Sequence, residues 1–348
     1  MTLRIARTIA RYSAASLALI CVFAGCMARQ ATQASPAVMP AETLASSVEP
    51  WSFEGVPGFV IRTRHYRIFT TEPDAMMRHR ITLLVEIALA EYVSAFGELP
   101  YPDSRLDTFL MGRRWEWDRL TQRLMGVDAP QYLRIQRGGY AAGGRGVFYN
   151  IGLRDTLAIA AHEGWHQYTQ RTFHEPLPVW LEEGIACYME GFRSDGGGRP
   201  AMRPWANVER FDELRDAWSR GALMDLQELL NATPQSLLDE SASRTLTYYA
   251  QVWALVHFLR EHDGGKYRPR LEQLLADAAR GRLRATVATT QGATAARTAV
   301  LRRIGPSVFL AYLNHDLSIA NTEYAAFIEA IVRTGSKDAI VRGESPLK

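Results

Sequence analysis

The chain has 348 residues, 47% of them hydrophobic, which is enough for one large domain or two modest ones with an ample core. Three of its 40 basic residues, Arg4, Arg7 and Arg11, lie in an N-terminal segment without acidic residues, so the other 37 balance the 37 acidic residues. This balance excludes the basic footprint typical of nucleic-acid-binding proteins, and we expect no nucleic-acid partner.

Residues 1–26 have the organisation of an export signal. A basic stretch ending at Arg11 precedes an apolar run over 13–24, which is short for a membrane span. The run ends in Phe23-Ala24-Gly25-Cys26, which resembles the lipobox of bacterial lipoproteins, although leucine is usual where Phe23 stands. The resemblance implies an envelope lipoprotein that is anchored through lipidated Cys26 and faces the periplasm. The alternative is an ordinary secretory signal and a secreted protein.

Residues 27–50 are rich in Ala, Ser, Thr and Pro, a composition that predicts a flexible linker between anchor and folded domain. Of the three cysteines, Cys21 lies in the leader and Cys26 would be acylated. Only Cys187 would remain as a thiol, so no intramolecular disulfide is expected in the mature chain.

Folded structure is predicted to begin near Trp51. β-branched and aromatic residues predict strands, and an apolar stripe from Ile81 to Phe96 predicts a helix that Gly97 terminates. The remaining elements expected before residue 130 are a strand and a second helix. The predicted ranges are strands at 60–61, 66–70 and 106–111, with the second helix at 113–125.

A glycine-rich segment covers residues 138–146 and leads into Val147-Phe148-Tyr149. A phosphate-binding loop would need a lysine and a hydroxyl residue at the start of a helix, and both are missing from the sequence here. The segment instead predicts a β-hairpin whose second strand runs along the cleft ahead of the next helix. An edge strand at such a place can pair with an extended peptide backbone.

A long apolar helix is predicted from Asp155, as its N-cap, to about Arg171, and the apolar residues 157–161 indicate that it is buried. A second helix is expected to begin near Val179. The pattern beyond it is almost wholly helical, with the Ala/Thr-rich run 284–296 the least determinate part. The predicted helices are 207–219, 223–230, 245–261, 268–279, 294–304, 306–314 and 322–334.

The long helix carries His162-Glu163-Gly164-Trp165-His166. Histidines four residues apart project from one helix face, close enough to bind a single metal ion. Glu163 flanks that ion as a general base for water instead of binding it. The pattern predicts a zinc site with His162 and His166 as ligands, and the alternative is a pair of satisfied core histidines.

A catalytic zinc ion needs a third protein ligand and an open position for water. The sequence offers Glu182, Glu183 and His174. The run from Trp180 to Tyr188 resembles the Trp-Leu-x-Glu-Gly-x-Ala-x-Tyr signature of gluzincin metallopeptidases. That resemblance implies Glu183 as the third ligand, with Glu182 at a variable position.

The resemblance also implies supporting residues. An acidic residue two helical turns beyond the ligand orients a histidine, which here is Glu190, and a tyrosine near the start of a later helix stabilises the oxyanion. Tyr249 is the first choice for that tyrosine and Tyr248 the second. Cys187, one turn from Glu183, could supply a thiolate ligand but is better interpreted as a buried core residue.

Sixteen residues separate His166 from Glu183, whereas zinc aminopeptidases have eighteen, and the Gly-x-Met-Glu-Asn segment of those enzymes is missing. The resemblance therefore indicates the broader peptidase MA-like gluzincin group. It implies a zinc-dependent peptidase with one Zn²⁺ and a peptide or protein substrate. The alternatives are a catalytically weak envelope protein acting in binding or assembly, and a zinc hydrolase of cell-wall amides.

The predicted fold class is α+β, with the metal site in a cleft between a small mixed sheet with helices and a mainly helical C-terminal lobe. The sequence leaves the oligomeric state open. The predicted divisions are a signal peptide (1–26), a linker (27–50), an N-terminal zincin lobe (51–172), a helical lobe (173–335) and a tail (336–348).

Overall fold

The computed structural model describes residues 45–194 and 198–347. Its first part is a six-stranded mixed sheet in the order β1-β2-β3-β4-β6-β5. The pairs β3–β4 and β4–β6 are parallel, and the other pairs are antiparallel. The strands are β1 (Ser47–Phe53), β2 (Val56–Arg62), β3 (Tyr66–Thr70), β4 (Leu106–Met111), β5 (Gly139–Ala142) and β6 (Arg145–Tyr149).

Both faces of the sheet are covered. Side chains alternate between the faces along a strand, so in β4 Leu106 and Leu110 join the main hydrophobic cluster, whereas Phe109 and Met111 join a smaller one. The main cluster lies against two long helices, and the smaller one contains Trp117. The helices of this part are α1 (Ala75–Ser94), α2 (Arg114–Met125), α3 (Ala129–Tyr132) and α4 (Leu153–Thr172).

The rest of the described chain is helical except for the short hairpin of β7 (Phe192–Ser194) and β8 (Pro200–Met202). The main hydrophobic cluster runs without a break from the sheet into these helices. The predicted α+β fold class is therefore confirmed. The helices are α5 (Val179–Met189), α6 (Val208–Ser219), α7 (Leu226–Asn231), α8 (Pro234–Glu240), α9 (Ala242–Glu261), α10 (Arg268–Ala279), α11 (Leu283–Gln291), α12 (Ala293–Arg302), α13 (Ser307–Tyr312), α14 (Leu317–Ile331) and α15 (Ser336–Arg342).

The β5–β6 hairpin forms as expected, but the prediction that its second strand lines the cleft is wrong. β6 pairs in parallel with β4 and in antiparallel with β5, so it is an interior strand. β5 is left at the end of the sheet, and within residues 45–194 and 198–347 it pairs with β6 alone. The edge strand is therefore the first strand of the hairpin.

Several boundaries differ from the sequence-based expectation. β1 begins at Ser47, inside the segment expected to be linker, and α15 lies within the expected tail, where Ile340 is fully buried. The long helix α4 begins at Leu153 with Gly152 as its N-cap, so Asp155 is not the cap. Asp155 lies in the first turn, where its carboxylate interacts favourably with the helix dipole. It also accepts a hydrogen bond from Arg137.

Helices α5 and α9 lie in close contact across Gly184. A Cβ atom at this position would lie 2.7 Å from the Val252 carbonyl oxygen and 2.9 Å from a Val256 methyl group. Glycine therefore allows the two helix backbones to approach, which fixes where α9 stands relative to the side chains of α5. Across the described ranges, every helix is too short or too polar to span a bilayer.

Candidate metal centre

The centre is built on α4, whose residues from Thr156 to Thr169 are almost all buried. His162 and His166 lie one turn apart on the same face, with ring centroids 5.0 Å apart. Their exposed fractions are 1% and 0%. A hydrogen bond of 2.6 Å from the Tyr92 hydroxyl to the Ala161 carbonyl ties this part of α4 to α1.

Helix α5 brings Glu183 to the paired imidazoles. Its Oε2 atom lies 3.5 Å from His162 Nε2 and 3.6 Å from His166 Nε2, and the three atoms lie within 4.8 Å of one another. Two ligands of a tetrahedral zinc ion at bond lengths of about 2.0–2.1 Å are separated by about 3.3–3.4 Å. The spacing of these three atoms therefore fits one metal ion.

All three of these atoms are buried and form no hydrogen bond to the described residues. A buried polar atom without a partner costs about 1–3 kcal/mol, so three converging on one point need an explanation. Satisfied core histidines would have both ring nitrogens paired, and these do not. The donor set of two imidazoles and one carboxylate matches a catalytic zinc site.

His174, the alternative third ligand, is exposed in the loop after α4 and is not part of this group. Glu182 is buried but is directed to the opposite side of the imidazole of His166. Of the three candidates, the structure therefore brings Glu183 alone to the Nε2 atoms.

The second ring nitrogen of His162 is held by Glu190, whose Oε1 lies 2.8 Å from Nδ1. Glu190 in turn accepts hydrogen bonds from Asn207 (2.7 Å) and from two nitrogens of Arg210 (2.9 and 3.1 Å). Burial raises the pKa of Glu190, but the charge of Arg210 and the bond to His162 outweigh burial and lower it to about 2. Glu190 is thus an anion that fixes the ring orientation.

The second ring nitrogen of His166 is held in the same way by Glu182, at 3.1 Å. Thr169 donates a hydrogen bond of 2.6 Å to the same carboxylate oxygen, and Arg303 lies 3.8 Å from the other. Sequence reasoning assigned no such role to Glu182. The sequence signal that could have indicated this role is the position of Glu182 directly before Glu183 on a buried helix.

The charges of the three candidate ligands are coupled. Burial lowers the pKa of His166, but the charge of Glu183 and the hydrogen bond to Glu182 raise it to about 9. The pKa of Glu183 is lowered, because the two histidines outweigh the effect of burial. A metal ion binds the neutral imidazole, so a raised imidazole pKa means that metal affinity rises with pH.

Glu163 lies beside this group with its side chain fully buried. Both carboxylate oxygens lack a hydrogen-bond partner among the described residues. Burial raises its pKa, although His162 and His166 oppose the effect. The backbone amide of Ala141 in β5 faces it without closing a hydrogen bond. A carboxylate with a raised pKa at this place has the properties of a general base.

Tyr248 and Tyr249, near the start of α9, are both buried close to the centre. The ring of Tyr249 meets that of His162 edge-on at 6.4 Å, and Arg210 lies 5.0 Å over it. The Tyr248 hydroxyl has no hydrogen-bond partner within the described ranges. Burial and the charge of Glu183 raise the pKa of both, so both hydroxyl groups are protonated and can donate.

Cys187 lies on the other side of His162. Its Sγ forms a second group with His162 and Glu190, within 4.8 Å. Burial and the charge of Glu190 raise the pKa of this thiol to about 11, so it is neutral rather than a thiolate. Since Glu190 already holds His162 Nδ1, Cys187 is better described as a buried thiol beside the orienting pair.

Replacing Glu190 by glutamine is expected to lower zinc affinity about 10- to 100-fold, because it removes the anion that orients His162 and leaves Arg210 buried without its charge partner. A titration of the purified full-length chain against a competing chelator measures this. Glu213→Gln, on the same α6 helix as Arg210, is the matched control and should bind zinc normally. Equal affinity in the Glu190 variant would contradict the orienting role.

Residues 156–276 match the model of a protein family of unknown function, DUF1570. The matched segment starts within α4 and ends within α10, so it includes the three candidate ligands, Glu163 and both tyrosines. No curated protein matches the chain.

Proposed function

We propose that this chain is a zinc-dependent metallopeptidase of the gluzincin type. One observation carries the proposal: three buried, unpartnered ligand atoms of His162, His166 and Glu183 converge next to the unpartnered carboxylate of Glu163. A bound zinc ion supplies Lewis-acid polarisation of a carbonyl group and lowers the pKa of water toward about 7.

Glu163 performs the proton transfers. Its carboxylate takes the proton from the attacking water and gives it to the leaving amine, so one side chain acts first as base and then as acid. The raised pKa of Glu163 favours this double use, because a group that titrates closer to neutral pH both accepts and releases protons readily.

The oxyanion that forms at the attacked carbonyl needs a hydrogen-bond donor. Tyr249 fills this role in the proposal, as in the gluzincins that the chain resembles, and its contact with the His162 ring supports the assignment. The unpartnered hydroxyl of Tyr248 makes that residue the second candidate. Because both groups are protonated, either can donate to the developing charge.

The edge of β5 that faces away from β6 is the proposed platform for the substrate backbone. The Ala141 carbonyl accepts a hydrogen bond of 3.1 Å from Gln170, and its amide faces Glu163, so this edge is turned toward the active-site face of α4. An extended peptide placed there adds a strand to the sheet and brings its own backbone beside Glu163.

The proposed location is the cell envelope, with Cys26 as the lipidated anchor. This residue and the rest of the export signal lie outside the described residues. The described domain begins at residue 45, so the predicted linker would join it beside β1.

A digest of a peptide library by the purified protein, combined with elemental analysis, tests the proposal. We expect one zinc per chain, cleavage of internal or terminal peptide bonds, loss of cleavage after chelation and recovery on addition of zinc. A zinc-loaded protein that cleaves no member of the library would favour a binding or assembly role in the envelope.

A further inference from the structure

An arginine-rich basin lies at one end of the sheet, beyond the candidate metal centre. It is a concave depression of about 700 Å³ between the amino ends of β4 and β6, the turn after β5 and the end of α4. Six arginines line this basin: Arg62, Arg64, Arg67, Arg105, Arg145 and Arg171.

The positive charge of the basin is only partly neutralised. Asp107 binds Arg67 through two hydrogen bonds of 2.6 and 2.7 Å, and Glu49 pairs with Arg62 at the rim. Asp103 is the remaining carboxylate of the lining. His65 also lines the basin and is hydrogen-bonded to Glu86 (2.7 Å).

The other four arginines have no carboxylate partner in the described part of the chain. Arg105 donates to the Thr63 carbonyl (2.8 Å) and Arg171 to the Ser104 hydroxyl (3.0 Å), which are neutral acceptors. Arg64 and Arg145 are exposed at its mouth. Because a guanidinium group binds carboxylates through two parallel hydrogen bonds, such a basin suits an anionic ligand.

The turn that borders the basin is joined by hydrogen bonds to the helix that carries the candidate active site. Gln170 lies on the same face of α4 as the two histidines, two turns after His162 and one turn after His166. Its side chain accepts from the Gly144 amide (3.0 Å) and donates to the Ala141 carbonyl (3.1 Å). The turn that ends β5 is therefore held by the helix face that carries the metal ligands.

That turn is also a wall of the basin. Gly143 and Gly144 have φ values of +58° and +71°, a conformation that suits a two-residue hairpin and that glycine adopts without strain. A Cβ atom at Gly144 would lie within 2.6 Å of two side-chain carbons of Arg171, so the absence of a side chain lets Arg171 lie against the turn.

Two lengths give the distance from Glu163 to the basin. Along β5, Ala141 beside Glu163 is three residues before Gly144, which is about 10 Å of extended chain. Along α4, eight residues from Glu163 to Arg171 rise about 12 Å. A peptide that pairs with β5 therefore places side chains in the basin about three to five residues from the bond that is cut.

We propose that the arginine basin binds acidic side chains of the peptide substrate, so that the enzyme selects extended peptides with Glu or Asp residues three to five positions from the scissile bond. The inference rests on the proposed peptidase function. A concave site that continues the edge strand fits a polypeptide segment better than the flat surface of an anionic membrane.

The test uses the full-length chain with Glu163→Gln, so that bound peptides persist. Three labelled peptides share one central segment and carry three glutamates on the amino side, three on the carboxyl side, or glutamines at all of these positions. Fluorescence anisotropy at low ionic strength should show about tenfold tighter binding of one glutamate peptide than of the glutamine peptide. Adding Arg64→Gln and Arg145→Gln together should remove most of this preference.

The matched control adds Arg297→Gln and Arg333→Gln, two exposed arginines of the helical lobe, for an equal change in net charge. It should keep the full preference, and melting curves should show all variants folded. Equal binding of the three peptides, or a preference that survives the Arg64 and Arg145 changes, would overturn the inference. Loss of binding to anionic vesicles in the basin variant, without any peptide preference, would overturn it in favour of a membrane surface.

A further measurement distinguishes failure of the proposed peptidase function from failure of the proposed basin function. Cleavage by the unsubstituted protein is measured with the same three peptides, and the favoured glutamate peptide should be cut fastest. If the unsubstituted, zinc-loaded protein cuts none of them while the binding preference holds, the peptidase function falls and the basin stands as a site for acidic peptides.

Discussion

Glu163→Gln is expected to lower the turnover of a peptide substrate by about 10²- to 10⁴-fold while the protein still binds one zinc ion. The amide cannot accept the proton of the attacking water, and positioned acid–base groups contribute rate factors of this size. Metal content is preserved because Glu163 contributes none of the three converging ligand atoms. Peptide cleavage and elemental analysis on the same preparation measure both quantities.

Glu91→Gln is the control for this substitution. Glu91 is a partly buried carboxylate of α1 whose pKa is also raised by burial, and it lies outside the metal centre. The control should cleave at the normal rate. Undiminished turnover in the Glu163 variant would contradict its role as the base. If the unsubstituted protein is as inactive as the Glu163 variant, and the variant binds zinc and partners normally, the binding role is favoured.

Zinc is expected to stabilise the fold strongly, and Glu183→Gln to abolish this effect. A ligand present at about 1,000 times its dissociation constant adds about 4 kcal/mol to the free energy of unfolding. The Glu183 variant loses one of three ligands and the anion that balances His162 and His166. Thermal unfolding with and without zinc measures the increment, and we expect a clear rise in melting temperature only where Glu183 is present.

Glu116→Gln is the matched control for this measurement. Glu116 is just as buried, but it bonds to Thr71 and to the Gly112 amide near the sheet, away from the metal centre. Its replacement should lower the melting temperature of the metal-free protein and leave the zinc increment unchanged. An increment retained in the Glu183 variant would show that zinc binds elsewhere.

Much of the local structure could be predicted from the sequence, because it depends on local pattern. The strands at 66–70 and 106–111 and the helix at 268–279 have the predicted boundaries. The N-cap of α4 was misplaced, because a favourable first-turn aspartate resembles a capping residue in sequence. β1 was missed because its strand pattern is weak, and it forms by pairing with β2.

The residues of the candidate site could likewise be predicted only in part. The two histidines could be placed by helical spacing, and Glu183 came from the resemblance to gluzincins. Arg210 and Arg303 could not be placed, because their contacts with Glu190 and Glu182 depend on how later helices fold back on α5. The arginine basin was missed for the same reason: its six members come from four separate stretches of sequence that only the sheet brings together.

Arg303 is far in sequence from the residues that it contacts, which has a consequence for the order in which the centre is assembled. This residue ends α12, donates to the Leu177 carbonyl just before α5 and stands beside Glu182. During synthesis the histidines of α4 and the carboxylate of Glu182 emerge long before Arg303, so the contact between Arg303 and Glu182 forms late. In the proposed zinc enzyme the complete centre would therefore be assembled only after the C-terminal half is made.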